Sequence, residues 1–141
     1  MDPALKPTGV LLVDDHPAML RQVVQMLPEE FEVLETRADG RGLLAAIEAH
    51  QPGVIILDIT LPGLSGIQLA SQLRVAGSPA RIIFLTVHND PDYARAALAA
   101  GGSAYVLKMR LATDLVPALR AVLAGRRYVS SSAELKEVEF E

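Results

Sequence analysis

Cysteine is missing from all 141 residues, which excludes disulfides, thiolate metal sites and cysteine nucleophiles and suits a reducing compartment. Aromatic residues make up only 4%, so any core must be aliphatic. No apolar run approaches the roughly 20 residues needed to span a bilayer. The first apolar run, Val10 to Val13, meets Asp14 too soon to serve as a signal peptide. Basic residues are outnumbered, and the net charge of -4 argues against strong nucleic-acid binding by this chain. What is present is a globular composition, 50% hydrophobic and 21% charged, in a length that suits one domain. The chain reads as soluble and cytoplasmic, with no membrane partner.

Short aliphatic runs alternate with helix-period segments, the pattern of βα units wound into a parallel sheet. Five units can be counted, and several strand-like runs end on polar groups. Val10-Leu11-Leu12-Val13 gives onto Asp14-Asp15, Val54-Ile55-Ile56-Leu57 onto Asp58, Arg81 to Leu85 onto Thr86, and Tyr105-Val106-Leu107 onto Lys108. Phe31 to Thr36 supplies the remaining strand. Carboxyl ends of strands are where open α/β sheets bind ligands and carry out chemistry. Three acids, a hydroxyl and an amine are therefore expected along one sheet edge.

Between the strands, Leu20, Val23, Val24 and Leu27 fall at helical spacing after Pro17, and Pro28 ends that segment. Further helices are expected over Gly40 to His50, Gly66 to Ala76 and Pro91 to Ala100, the last capped by Asp90. A final helix is expected to start near Asp114, with Pro117 in its first turn and Gly125 as its terminator. Residues 1 to 8 read as an arm. In 126 to 141, Tyr128 and Val129 suit packing against the domain, Ser130-Ser131-Ser132 reads as a linker, and the remainder as an acidic tail.

The acid set makes a chemical argument possible. A carboxylate forms an acyl phosphate when the donor is held in line and a cation neutralises the transferring group. Three carboxylates a few ångströms apart repel by roughly 3 kcal/mol per pair at an effective dielectric near 20, so a divalent ion is expected among them. Hard oxygen ligands favour Mg²⁺. Lys108 suits one phosphoryl oxygen and Thr86 another. Each residue also has an ordinary reading: Asp-Asp as a turn or cap, Lys108 as a solvated charge, Tyr105 as core. His16, His50 and His88 form no metal-ligand spacing, and His16 belongs to the turn entering the first helix.

The order of an acidic pair, an acid before a Pro-Gly loop, a Thr and a Lys, each at a strand tip, resembles the receiver domain of two-component response regulators over about residues 9 to 125. Val13-Asp14-Asp15-His16-Pro17 and Leu85-Thr86-Val87-His88 are similar to the NarL/LuxR-type branch. The resemblance implies a flavodoxin-like, five-stranded, doubly wound parallel sheet in order 2-1-3-4-5, with 126 to 141 leading toward an output domain that lies outside this chain. It implies that Asp58 is phosphorylated by a sensor histidine kinase, with Mg²⁺ held by Asp14, Asp15, Asp58 and the backbone carbonyl of Thr60. It implies that Thr86 and Lys108 contact the phosphoryl group, that Tyr105 turns inward as the switch, and that phosphorylation drives homodimerisation and transcription regulation. DNA is then contacted only through the C-terminal output domain, and the chain reads as a stand-alone receiver or a fragment ending in the linker. Thr60, Val87 and His88 stand where access to the phosphoryl group is tuned. Met109 follows Lys108 where such domains often have a proline that forms a cis peptide.

Other classes use related parts. Haloacid-dehalogenase-like phosphatases also combine an Asp nucleophile, a Thr or Ser, a Lys and acids, but with a second Asp two residues after the nucleophile, where Thr60 stands here. The expectation is thus self-phosphorylation and slow autodephosphorylation, not multiple-turnover catalysis. A phosphorylation-independent adaptor has no use for the complete acid set. A flavin-binding domain needs a phosphate cradle that these loops lack.

Overall fold

The structure, a computed structural model, describes residues 6–138. Most of the proposed arm and the end of the acidic tail lie outside that range. The first strand, β1 (Thr8–Val13), begins inside the segment read as an arm. It is followed by α1 (Pro17–Met26), β2 (Phe31–Arg37), α2 (Leu43–His50), β3 (Val54–Leu57), α3 (Gly66–Val75), β4 (Arg81–Thr86), α4 (Pro91–Ala99) and β5 (Ala104–Leu107). A 3₁₀ turn over Lys108–Arg110 runs into α5 (Leu111–Leu123), and a two-residue strand, β6 (Tyr128–Val129), closes the series.

All strand pairings are parallel, in the order β2-β1-β3-β4-β5-β6. The expected five-stranded core is thus present, with β6 added outside β5. Side chains alternate across the strands, as the two-residue period requires. Leu11, Val13, Ile55, Leu57, Ile82, Phe84, Tyr105 and Leu107 join one core layer with residues of α2, α3 and α4. Val10, Leu12, Val54, Ile56, Ile83, Leu85, Ala104 and Val106 join the other with residues of α1 and α5. Burial on both faces explains why these strands read as unbroken aliphatic runs.

Side-chain caps set the starts of α3 and α4. Ser65 and Gln68 form a reciprocal capping box on α3, and the Asp90 carboxylate accepts from Asp92 N–H (2.8 Å) ahead of Pro91. Gly66 is required by close approach, because a Cβ there would overlap the carbonyl oxygen of Asp58. Three expectations are corrected. Val24 is exposed, so the buried stripe of α1 is narrower than its sequence pattern. Helix α5 starts at Leu111, ahead of Asp114, because the 3₁₀ turn after Lys108 feeds directly into it. Pro117 consequently lies inside the helix, where both Pro117 and Thr113 are exposed, so water can satisfy the carbonyl left without a partner.

The carboxyl segment returns to the domain. Ser130 N–H donates to the Tyr105 carbonyl (2.9 Å), and Leu107 N–H donates to Ser130 Oγ (3.0 Å). Ser132 Oγ donates to Asn89 Oδ1 (2.8 Å), and Asn89 Nδ2 donates to Glu134 Oε2 (2.9 Å). Leu135 and Val138 are buried in the same layer as Ala94, Ala97 and Tyr105. Residues 126–138 therefore cover the β5 edge and reach the α4 side of the sheet.

Candidate functional site

Strands β1 and β3 are neighbours although they are not consecutive, which marks the topological switch point where doubly wound sheets hold ligands. Backbone bonds carry the sheet one residue past each strand. Asp14 N–H donates to the Arg37 carbonyl (3.0 Å) and Asp58 N–H to the Val13 carbonyl (2.9 Å). The two carboxylates are thereby fixed side by side, 1% and 3% exposed.

Lys108 arrives from the tip of β5. Its Nζ lies 2.8 Å from Asp14 Oδ2 and 3.0 Å from Asp58 Oδ2, itself only 9% exposed. Burial opposes the charge on Lys108, but its hydrogen bonds to Asp14 and Asp58 win and hold its pKa above the usual lysine value. Burial is also the main influence on Asp58 and raises its pKa. Lys108 offsets part of that rise, while the neighbouring Asp14 charge adds to it. One ammonium thus serves two buried acids, with Asp15 at the rim.

Asp15 Oδ1 is a buried atom that accepts no aligned hydrogen bond. His16 occupies the turn before α1, as expected, and its ring Nδ1 lies 3.0 Å from Asp14 Oδ1 and 3.1 Å from Asp15 Oδ1. Candidate ligand atoms of Asp14, Asp15, His16 and Asp58 all lie within 4.8 Å of one another. An orphaned buried oxygen within an acid cluster that carries one ammonium is a donor set that fits a divalent cation. Sequence spacing gave no hint of the His16 ring, because its approach depends on the turn and not on a ligand motif.

The β3 and β4 tips are joined above this pocket. Thr60 N–H donates to Asp58 Oδ1 (3.3 Å), and Thr60 Oγ1 lies 2.7 Å from His88 Nε2. His88 N–H donates to the buried Thr86 Oγ1 (3.2 Å), and the ring stacks on Tyr93 with centroids 4.1 Å apart. Tyr105 is wholly buried with its ring inward and its hydroxyl donating to the His88 carbonyl (2.6 Å). Burial is the main reason that its hydroxyl pKa is raised. Val87, by contrast, is 65% exposed. The structure therefore gathers Asp14, Asp15, Asp58 and Lys108, with Thr60, Thr86, His88 and Tyr105 linked through the β4–α4 loop. Asn89 in that loop binds the carboxyl segment, a role that no local sequence signal announced. The peptide bonds of the described residues include no cis bond, Lys108–Met109 among them.

These features define a doubly wound α/β domain with an acid pocket at its switch point. Residues 10–120 match the response regulator receiver domain family. The transcriptional activator protein ExaE of Pseudomonas putida is 34% identical over 123 residues, covering 86% of this chain and 58% of that protein. The probable transcriptional regulatory protein NarL of Mycobacterium tuberculosis is 32% identical over 133 residues, covering 93% and 62%. The crystal structure of a LuxR-family two-component response regulator from Aurantimonas sp. SI85-9A1 aligns with a TM-score of 0.82 at 32% identity, over 94% of this chain and 96% of that one. The chain belongs to the response regulator receiver domain family, in its NarL/LuxR-type branch. No helix of the described residues is long and apolar enough to cross a membrane.

Proposed function

We propose that Asp58 is the phosphoacceptor of a two-component signalling pathway in the cytoplasm, receiving its phosphoryl group from the phosphohistidine of a sensor histidine kinase. The observation that carries this reading is the Lys108 ammonium shared between the buried Asp14 and Asp58 carboxylates. In the transfer, the donor's P–N bond breaks, a bond forms from phosphorus to an Asp58 carboxylate oxygen, and the leaving imidazole keeps the bond's electron pair and takes up a proton. Lys108 leaves its contact with Asp58 Oδ2 to pair with a phosphoryl oxygen. The Thr86 hydroxyl, 3.2 Å from His88 N–H, turns to donate to another oxygen.

Asp14, Asp15, Asp58 and the Thr60 carbonyl would hold Mg²⁺, with Asp14 acting mainly through water. When bound, Mg²⁺ supplies positive charge that offsets the acids and the incoming group. Thr60, Val87 and His88 border the approach and set how readily small donors and water enter. Movement of Thr86 shifts the backbone of His88, which Tyr105 holds, and so alters the α4–β5–α5 surface. That change promotes homodimerisation and regulates transcription through an output domain outside this chain. The domain loses the phosphoryl group slowly to water and does not act as a multiple-turnover enzyme.

Intact mass and elution volume after incubation with acetyl phosphate and Mg²⁺, wild type beside Asp58→Ala, test the reading. A single phosphoryl addition dependent on both Mg²⁺ and Asp58, with an earlier elution, is expected. Failure to form the adduct under conditions where another receiver does would leave a docking adaptor instead.

A further inference from the structure

Of the three histidines, only His16 meets the acid pocket with a ring nitrogen aimed at two carboxylates. His50 pairs with Glu35 Oε2 (3.6 Å), and His88 Nε2 is engaged by Thr60. His16 occupies the N-cap position of α1 in extended conformation (φ -104°, ψ 106°), yet its side chain makes no capping bond. Its backbone N–H donates to Asp14 Oδ1 (2.9 Å), and Pro17 fixes the chain immediately after it. The short tether leaves the ring over the pocket, with Nδ1 about equally near Asp14 Oδ1 and Asp15 Oδ1.

We propose that His16 Nδ1 is an inner ligand of the metal site, and that this nitrogen makes the site select Mn²⁺, Co²⁺ or Zn²⁺ more strongly than an all-oxygen pocket does. The inference rests on the reading that the acid pocket holds a divalent ion. Metal–ligand bonds of about 2.0–2.2 Å leave opposite ligands roughly 4.2 Å apart. The 4.8 Å spread among Asp14, Asp15, His16 and Asp58 therefore closes with small side-chain shifts. The buried Asp15 Oδ1 has no aligned hydrogen bond and so keeps a lone pair for an ion. His16 is 64% exposed at its side chain, which puts the imidazole at the mouth, where an ion must enter. Imidazole favours the later divalent metals, whereas carboxylate, carbonyl and water suit Mg²⁺. The same nitrogen already rests 3.1 Å from Asp15 Oδ1, the oxygen that it would join around the ion.

The proposal separates a ligand from a ring that merely screens the acids and swings away when an ion enters. Pulsed electron paramagnetic resonance of the Mn²⁺-loaded chain reads the difference. One directly bonded histidine nitrogen is expected in the wild type, changing with isotope-labelled histidine and vanishing in His16→Ala. Labelling needs no substitution, so the test survives a variant that folds poorly. In titrations, His16→Ala should weaken Co²⁺ binding about tenfold or more, since even outer-shell partners of metal ligands are worth about 10- to 100-fold, and should weaken Mg²⁺ binding much less. Mn²⁺ bound in an Asp58-dependent manner without nitrogen coupling would overturn the ligand assignment while sparing the pocket. Absence of Asp58-dependent binding of any divalent ion would overturn both.

Discussion

The strand-tip pocket and the docked carboxyl segment are held in opposite ways. In the pocket, burial raises the Asp58 pKa, Lys108 only partly relieves it, and Asp14 adds repulsion. In the segment, Leu135 and Val138 are buried among aliphatic residues, and the polar groups of Ser130, Ser132 and Asn89 are paired. One region carries electrostatic cost that the proposed cation and phosphoryl group would relieve. The other contributes stability. Both touch the stretch from Thr86 to Asp90, which reaches Thr60 through His88 and the carboxyl segment through Asn89.

The contrast breaks most sharply if each region can be disabled without the other. Asp58→Asn should lower phosphoryl incorporation from acetyl phosphate by more than about a hundredfold, since the amide is not a nucleophile of this kind. Leu135→Ala should keep incorporation in the wild-type range but lower unfolding stability by about 2–4 kcal/mol, measured by urea titration. An unchanged midpoint would mean that the segment adds nothing to the fold.

Asp58→Asn should also stabilise the chain in chelator. Because the folded pKa lies above the ordinary Asp value, the folded chain binds this proton more tightly than the unfolded chain. The group's favourable contribution is full below the ordinary value and is lost as pH rises through the folded one. At neutral pH the variant should therefore melt higher than the wild type, the gain shrinking as pH falls toward the ordinary Asp value. A lower melting temperature would show that the Lys108 contact outweighs burial and repulsion. The smallest effect belongs to Asn89→Ala. Loss of its hydrogen bonds should cost about 1 kcal/mol and speed hydrogen exchange over 130–138, with little change at β1 and β3.

The pocket acids were legible because strand ends, Pro-Gly loops and aliphatic runs are local signals, and the parallel topology then brings Asp14, Asp58 and Lys108 together. Helix α5 was less so. Asp114 looks like a cap by residue type, yet inside the helix it receives Arg110 Nε at 2.9 Å, four residues earlier. The capping box of Ser65 and Gln68 was written in the sequence but not used. Docking of Leu135 and Val138 left little local trace, since a Ser-rich run followed by charged residues has the composition of a linker. Its burial depends on the core layer shared with Ala94, Ala97 and Tyr105, which exists only once the sheet has formed.

Short as it is, β6 decides how this sheet can be approached. Ser103 and Tyr105 carbonyls and Leu107 N–H already have partners in the returning chain, so the outer rim of β5 has little to offer a foreign strand. At the opposite rim, β2 carries Glu32, Glu35 and Arg37, charges that discourage an added strand. Partners therefore find little unpaired backbone along β5, while the helices and loops offer them side chains. Surface substitutions there can change one association while leaving the shared scaffold as it is.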